Sequence, residues 1–328
     1  MKFGPVPVEE ARGKILAHNM TDPDGRRVLR KGQEVDDAVV ATLRDLGQAS
    51  VYVAALQADD VHEDRAAATV ASVMLGPGVS AAPAHAGRVN VHADALGVLR
   101  VDADALSRLN QIEGFTVATL ATHSVVRPGD RVATIKIIPY AVPWEAVARA
   151  EALAGASPIV SVRPIAPQEV GIVLVGSRGA WGNLESGLGE AIRGRVEALG
   201  CATTPPAFAP MDEVALAEVL RRQVSGGARV VVVAGETAIM DAGDLIPRGI
   251  RRAGGRVEHL GLAMDPGHLL LLADLEGIPV VGAPGCVRSP SPDGFHAVLP
   301  RLLAGEKLTR SDLQALGHGG LLSDPRKR

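Results

Sequence analysis

Two runs, Val170-Gly171-Ile172-Val173-Leu174-Val175 and Val230-Val231-Val232-Val233-Ala234, constrain this chain more than anything else in it. Neither alternates polar with apolar residues, so neither suits a sheet with one wet face. Such runs belong in strands covered on both sides. Helical periodicity follows: Leu184 to Leu199 and Met211 to Val224 after the first run, Leu245 to Arg252 after the second, with Gly200, Gly226-Gly227 and Gly254-Gly255 as stops. Buried strands alternating with helices predict an α/β domain, a three-layer parallel sheet, over residues 168–305. Residues are 47% hydrophobic but only 2% aromatic, so the core is aliphatic.

The first half has another texture. Residues 1–165 predict a smaller, strand-rich α+β region, divisible into about 1–58 and 59–165. Asp36 caps a helix with Val39, Val40, Leu43 and Leu46 on one face, and Val51-Tyr52-Val53 is a strand. An Ala-rich helix spans Val61 to Met74 and another Trp144 to Leu153, while Phe115–Leu120 and Val132–Pro139 are strands rich in β-branched residues. Asp60, His62, Glu63 and Asp64 read as compensation of a helix dipole, and Lys136 as a solvent-facing side chain. Ala154-Gly155-Ala156-Ser157-Pro158 reads as a linker, and 306–328 as a C-terminal tail closing on Arg326-Lys327-Arg328.

The formal net charge is -3, from 34 Lys+Arg against 37 Asp+Glu, which argues against nucleic-acid and membrane partners. No apolar run nears the roughly 18 residues of a membrane helix, and Met1-Lys2-Phe3-Gly4-Pro5 lacks a signal-peptide core. Cys201 and Cys286 make neither a zinc cage nor a disulfide framework. The expectation is a cytoplasmic protein.

Open parallel sheets bind ligands outside the C-terminal ends of their strands. Three loops qualify: Gly176-Ser177-Arg178-Gly179, the segment Gly235 to Asp244, and Gly282 to Ser289. In the second, Asp244 is placed to cap the helix Leu245 to Arg252. Asp241 lies three residues before it. A carboxylate there suits the amino and ring N–H edge of a pterin or guanine, or a Mg²⁺ ion beside a phosphate, or simply closes a turn. In the third, amides near Pro284-Gly285 suit a phosphate, with Arg288 adding charge. No Gly-x-x-x-x-Gly-Lys-Ser/Thr loop occurs.

The order of these pieces carries a resemblance. Gly235 through Asp244, then Gly254-Gly255, Asp265-Pro266-Gly267-His268 and Ala283-Pro284-Gly285-Cys286 resemble the molybdopterin-binding domain of molybdopterin molybdotransferases, the molybdenum insertases. That family shows a Gly-Gly-x-Ser-x-Gly-x-x-Asp loop, a helix, a Gly-Gly stop, a Lys-Pro-Gly-Lys-Pro turn and a Leu-Pro-Gly-Asn-Pro loop. Val6 to Ala11 is similar to the family's opening. The resemblance covers Val170 to Ala304 well and the first half loosely. It implies a molybdopterin or molybdenum-cofactor site built from Gly235, Glu236, Thr237, Asp241, Asp244, Pro266, Gly267, His268, Pro284, Gly285, Arg288, Ser289 and Ser177, with Asp241 as the metal ligand should Mg²⁺ take part.

The departures bear on chemistry. Asp265 and His268 replace both lysines of the turn, and Glu236 and Ala238 replace the second Gly and the Ser of the first motif. The remaining cations are Arg178, His268 and Arg288. This pattern is similar to a branch of molybdopterin-binding proteins that can precede a cytidylyltransferase domain. The resemblance therefore implies cofactor binding in biosynthesis, maturation or delivery, as a homodimer with a cytidylyltransferase or recipient molybdoenzyme as partner. The alternatives are an active insertase of the molybdopterin molybdotransferase kind and a non-enzymatic scaffold or regulator keeping only the fold.

Overall fold

The computed structural model of the chain describes residues 1–154 and 157–322. Gly155 and Ala156 of the expected linker, and Arg326-Lys327-Arg328, lie outside the described residues. The chain divides into two compact units: Met1–Ala95 with Leu99–Arg163, and Leu96–Val98 with Pro164–Arg328. It is a mixed α/β chain of several sheets. Among the described residues no helix is long and apolar enough to cross a membrane.

The first unit opens with a three-stranded antiparallel sheet. Strands β1 (Lys2–Pro7) and β2 (Ile15–Leu16) flank β3 (Ser50–Ala55). Helix α1 (Asp37–Asp45) starts where the Asp36 side chain accepts from the Val39 N–H, and it seats Val39, Val40 and Leu43 beside Val51 and Val53. Helix α2 (Glu63–Met74) begins two residues later than the Ala-rich run suggests, because Asp60–His62 pairs as a strand with Ala141–Pro143. Its Ala66, Ala67, Val70, Ala71 and Met74 face a four-stranded sheet. That sheet comprises β4 (Val79–Ala81), β5 (Arg88–Ala93), β6 (Phe115–Thr119) and β7 (Arg131–Ile137), ordered β6-β7-β5-β4. Between β5 and β6 lies α3 (Ala103–Asn110), absent from the sequence reading, whose cap Asp102 accepts from the Ala105 N–H. Helix α4 (Trp144–Ala154) completes the core through Val147 and Ala150.

Two sequence readings need correction here. Glu63 and Asp64 do stand in the first turn of α2, where acids compensate the helix dipole, but the acids around His62 are not left to that role alone. Asp60 pairs with the N-terminal ammonium at 2.7 Å, Asp64 accepts from the Gly87 N–H at 2.6 Å, and Glu63 is buried. Nor is Lys136 free in solvent: its Nζ donates to Glu63 Oε2 at 2.9 Å and to the Ala86 carbonyl at 2.8 Å. A buried carboxylate needs a partner, and β7 brings this one across 73 positions of sequence.

The second unit is built on one seven-stranded sheet. Strand β8 (Glu169–Val175) is followed by α5 (Trp181–Leu184), a π-helical segment Glu185–Gly189, and α6 (Glu190–Glu197). Short strands β9 (Ala202–Thr203) and β10 (Ala207–Ala209) both run parallel to β8. Helix α7 (Glu213–Ser225) leads to β11 (Val230–Gly235), parallel to β8 on its other side. Helix α8 (Leu245–Arg252) leads to β12 (Arg256–Leu260), β13 (Leu271–Leu275) and β14 (Ile278–Gly282).

The strand order is β9-β8-β11-β14-β13-β12. The sequence predicts a wholly parallel sheet, but β13 runs antiparallel to both β12 and β14. A loop from Gly261 to Leu270 joins β12 to β13 and a tight turn at Glu276-Gly277 joins β13 to β14, neither containing a helix; Gly261 and Gly277 both have positive φ. Alternate residues of β8 and β11 serve two cores. Ile172, Leu174, Val232 and Ala234 pack with Leu188, Ile192 and α9 (Gly294–Leu303), whereas Val173, Val175, Val231 and Val233 pack with α7 and α8. Residues 306–322, read as part of a tail, instead bury Leu308 and Leu313 in the first of these cores, and Glu306 is paired with Arg301 at 2.8 Å.

Candidate functional site

Helices α5 and α6, directly after β8, lie on one face of the second unit's sheet, and α8, directly after β11, lies on the other. The C-terminal ends of these adjacent strands therefore open a crevice between diverging connections, the usual ligand position in open α/β sheets. Two loops meet there. The Ser177 N–H donates to Glu236 Oε2 at 2.7 Å, and its hydroxyl lies 3.4 Å from Oε1. The Glu236 N–H in turn donates to the Val175 carbonyl at 2.8 Å. Gly235 is required at this bend, since a Cβ would come within 2.8 Å of the Thr237 carbonyl.

Beside this junction lies a cleft of about 540 Å³ lined by Arg178, Trp181, Phe208 and Pro210. Trp181 and Phe208 meet edge-on with centroids 5.1 Å apart. An aromatic wall with one guanidinium suits a flat, electron-rich, anionic ligand. Trp181, Phe208 and Pro210 escaped sequence reasoning because Trp181 starts α5 whereas Phe208 and Pro210 lie on and just after β10; the signal available was the chain's scarcity of aromatics, with Trp 2 and Phe 4.

The segment after Glu236 is braced from within. Buried Ile239 anchors it, Asp241 Oδ1 accepts from the Gly243 N–H at 2.6 Å, and Asp244 Oδ2 accepts from Met240 and Asp241 N–H groups at 2.6 and 2.9 Å. Those two N–H groups hold the Asp244 carboxyl below its ordinary range. Asp244 does occupy the cap position of α8, but its side chain accepts nothing from the helix, contrary to the sequence reading. Its carboxylate turns back because two loop amides lie within reach. Asp241 and Thr237 are exposed.

The third loop is a short 3₁₀ turn, Gly285–Arg288, entered through Pro284. Arg288 and Ser289 are exposed. Arg195 holds this turn from α6: its guanidinium donates to the Val287 carbonyl at 2.9 Å and to the Ser289 carbonyl, binds Asp293 Oδ1 at 2.9 Å, and stands over the Phe295 ring. Burial alone would raise the Asp293 carboxyl. The His296 ring, Arg195 and the His296 N–H overcome it and hold the group at about 2. Burial, then the charge of Asp293, pushes the Cys286 thiol up to about 11. Asp293 Oδ2 is buried without a hydrogen-bond partner among the described residues. Sequence reasoning missed this cluster, although Asp293-Gly294 ahead of an apolar helix is a cap signature.

Pro266, Gly267 and His268 lie on the connection from β12 to β13. The Gly294 N–H donates to the Pro266 carbonyl at 2.9 Å, so this turn sits on the start of α9. Exposed His268 has Nδ1 3.5 Å from Asp265 Oδ1. Among the described residues no hydrogen bond links it to Ser177, Glu236 or Asp241, and no group of three His, Cys, Asp or Glu is placed to hold a metal ion.

A family model described as a domain of unknown function (DUF8806) matches residues 5–55, within the first unit. No curated protein matches the chain. Among solved structures the chain is similar to a molybdopterin biosynthesis MoeA protein from Pyrococcus horikoshii, at 17% identity over 93% of this chain and 75% of that one, with a TM-score of 0.33. It is also similar to a tungsten cofactor synthesizing protein MoaB from Pyrococcus furiosus, at 20% identity over 38% and 85%, with a TM-score of 0.28. A molybdopterin biosynthesis enzyme MoaB from Thermus thermophilus matches at 17% identity over 42% and 98%, with a TM-score of 0.31.

Proposed function

We propose that the second unit binds molybdopterin, or the molybdenum cofactor built on it, and serves that cofactor's biosynthesis, maturation or delivery. The observation that carries this reading is the Ser177–Glu236 bond, which joins two strand-end loops at the sheet's switch point beside the Trp181–Phe208 cleft. The motif order from Gly235 to Ser289 supplies the ligand class.

The residues present fit the group. Asp241 and Glu236 offer carboxylate oxygens to the amino and N–H edge of a pterin, and Arg178 and Arg288 offer charge to its phosphate. Gly235 and Asp244 shape the second loop; Thr237 adds a hydroxyl beside it. Pro284, Gly285 and Ser289 form the third loop, with Pro266 and Gly267 supporting the start of α9. A Mg²⁺ ion at Asp241 would draw its remaining ligands from phosphate and water. Insertase turnover is not part of the reading, since the turn carries Asp265 and His268 where the resemblance calls for lysines. The domain is taken as the three-layer molybdopterin-binding type, acting as a cytoplasmic homodimer that hands its ligand to a cytidylyltransferase or recipient molybdoenzyme.

Purification from a cofactor-producing host, followed by mass spectrometry of released small molecules, is expected to yield a pterin phosphate. Asp241→Ala should weaken its binding at least tenfold, about 1.4 kcal/mol. A pterin-free preparation whose titration with molybdopterin shows no binding would sink the reading.

A further inference from the structure

The four-stranded sheet of the first unit turns one face to its core and the other to solvent. On strand β5 the solvent-side residues are Arg88, Asn90 and His92. On β7 a bulge between Arg131 and Ala133 buries Val132 and Ala133 in succession. Without it, Arg131 would share a face with Ala133 and Ile135. With it, Arg131 stands opposite His92, Thr134 opposite Asn90, and Lys136 opposite Arg88. Bulges re-aim side chains in this way and concentrate beside functional sites.

The result is a cavity of about 490 Å³ whose lining includes Arg88, Arg131, Lys136, Thr116 and Thr134 and, among the described residues, no carboxylate. Lys136 is bound to Glu63. Arg88 and Arg131 have no side-chain hydrogen bond or ion pair among the described residues. Arg131 is level with His92, four residues and about 13 Å along the strand from Arg88, yet both guanidinium-bearing side chains line one cavity. Two nearby acceptors take hydrogen bonds from the threonines: Thr134 Oγ1 donates to Asn90 Oδ1 at 3.1 Å, leaving the Asn90 amide as a donor. The Thr116 hydroxyl donates to the Lys136 carbonyl at 2.9 Å. Guanidinium and ammonium groups carry donors only, so the surface is complementary to a ligand rich in acceptors and negative charge.

We propose that this face binds a small phosphorylated anion, a diphosphate or a phosphate ester, gripped between Arg88 and Arg131. Paired guanidiniums match phosphate oxygens in planar, two-point fashion. A nucleic-acid strand fits less well: single strands are held by stacking on exposed aromatics, and the one aromatic of the lining, Phe115, is buried. The inference concerns the first unit and stands whether or not the second binds a pterin.

Amide NMR of the full chain, titrated separately with inorganic diphosphate and with AMP, tests it site by site. At least one probe should give saturable shifts concentrated in residues 88–92 and 131–136. The double substitution Arg88→Gln with Arg131→Gln should weaken that binding at least tenfold while leaving shifts in the second unit and the circular dichroism unchanged. Three results would overturn the proposal: no saturable shifts on these strands, unaltered affinity in the double variant, or shifts here with a single-stranded oligonucleotide but with neither small probe.

Discussion

Arg195 fixes the third loop by charge as well as by hydrogen bonds. It binds a carboxylate that is 1% exposed, and two loop carbonyls beside it. Removing one partner of a buried pair strands the other charge. Arg195→Ala should therefore cost about 3–5 kcal/mol in urea unfolding and release Gly285–Arg288 to faster hydrogen exchange. The Asp293 carboxyl titrates at about 2 in the folded chain and at 3.8 as an ordinary side chain. The native state thus binds fewer protons, so the stabilisation is present above about pH 4 and is lost as pH falls through about 2. Asp293→Asn should be less stable than the parent near pH 6 by on the order of 2 kcal/mol, with the two curves converging by about pH 2. Gly267 makes a different demand. With φ at 135° and a Cβ position 2.6 Å from the Gly294 nitrogen, Gly267→Ala should cost about 1–3 kcal/mol, read as a drop in Tm.

At the scale of elements, two aspartates at helix starts behave differently. Asp212 accepts from Val214 and Ala215 N–H groups at 3.0 and 2.9 Å, so Asp212→Ala should cost about 1 kcal/mol and fray α7. Asp244 binds loop amides instead. Asp244→Ala should leave the helical circular dichroism of α8 intact while the Met240 and Asp241 amides exchange faster. A loss of helicity would contradict the assignment. The bounds of α8 were legible because a polar residue precedes Leu245 and glycines follow Arg252. The use made of the Asp244 carboxylate was not, since an N-cap and a loop brace share one sequence pattern. Helix α3 was also open to reading, from Asp102 with Leu106 and Leu109, but short β-branched runs around it masked the signal. The β7 bulge had no local signature, because it exists only against β5.

For the whole molecule, the thiols report on the second unit. Cys201 and Cys286 are free, both lie in that unit, and burial raises both thiols. Near neutral pH the thiolate fraction is small, so a thiol reagent should label the native chain slowly. Both sites should react rapidly at the urea concentration where the second unit unfolds. Rapid labelling of Cys286 in native buffer would contradict its raised thiol. Neighbouring residues alone mark Val170–Val175 and Val230–Ala234 as interior strands, glycines as the ends of their connecting helices, and the core as aliphatic, because hydrophobic periodicity and chain breakers act over short stretches. Long-range packing sets β13 against its neighbours, brings Ser177 to Glu236 across 59 positions, and puts Arg88, Arg131 and Lys136 on one face. Those outcomes depend on pairing between distant segments, where register and chain direction follow from how the whole core packs and leave little trace in any one stretch of sequence.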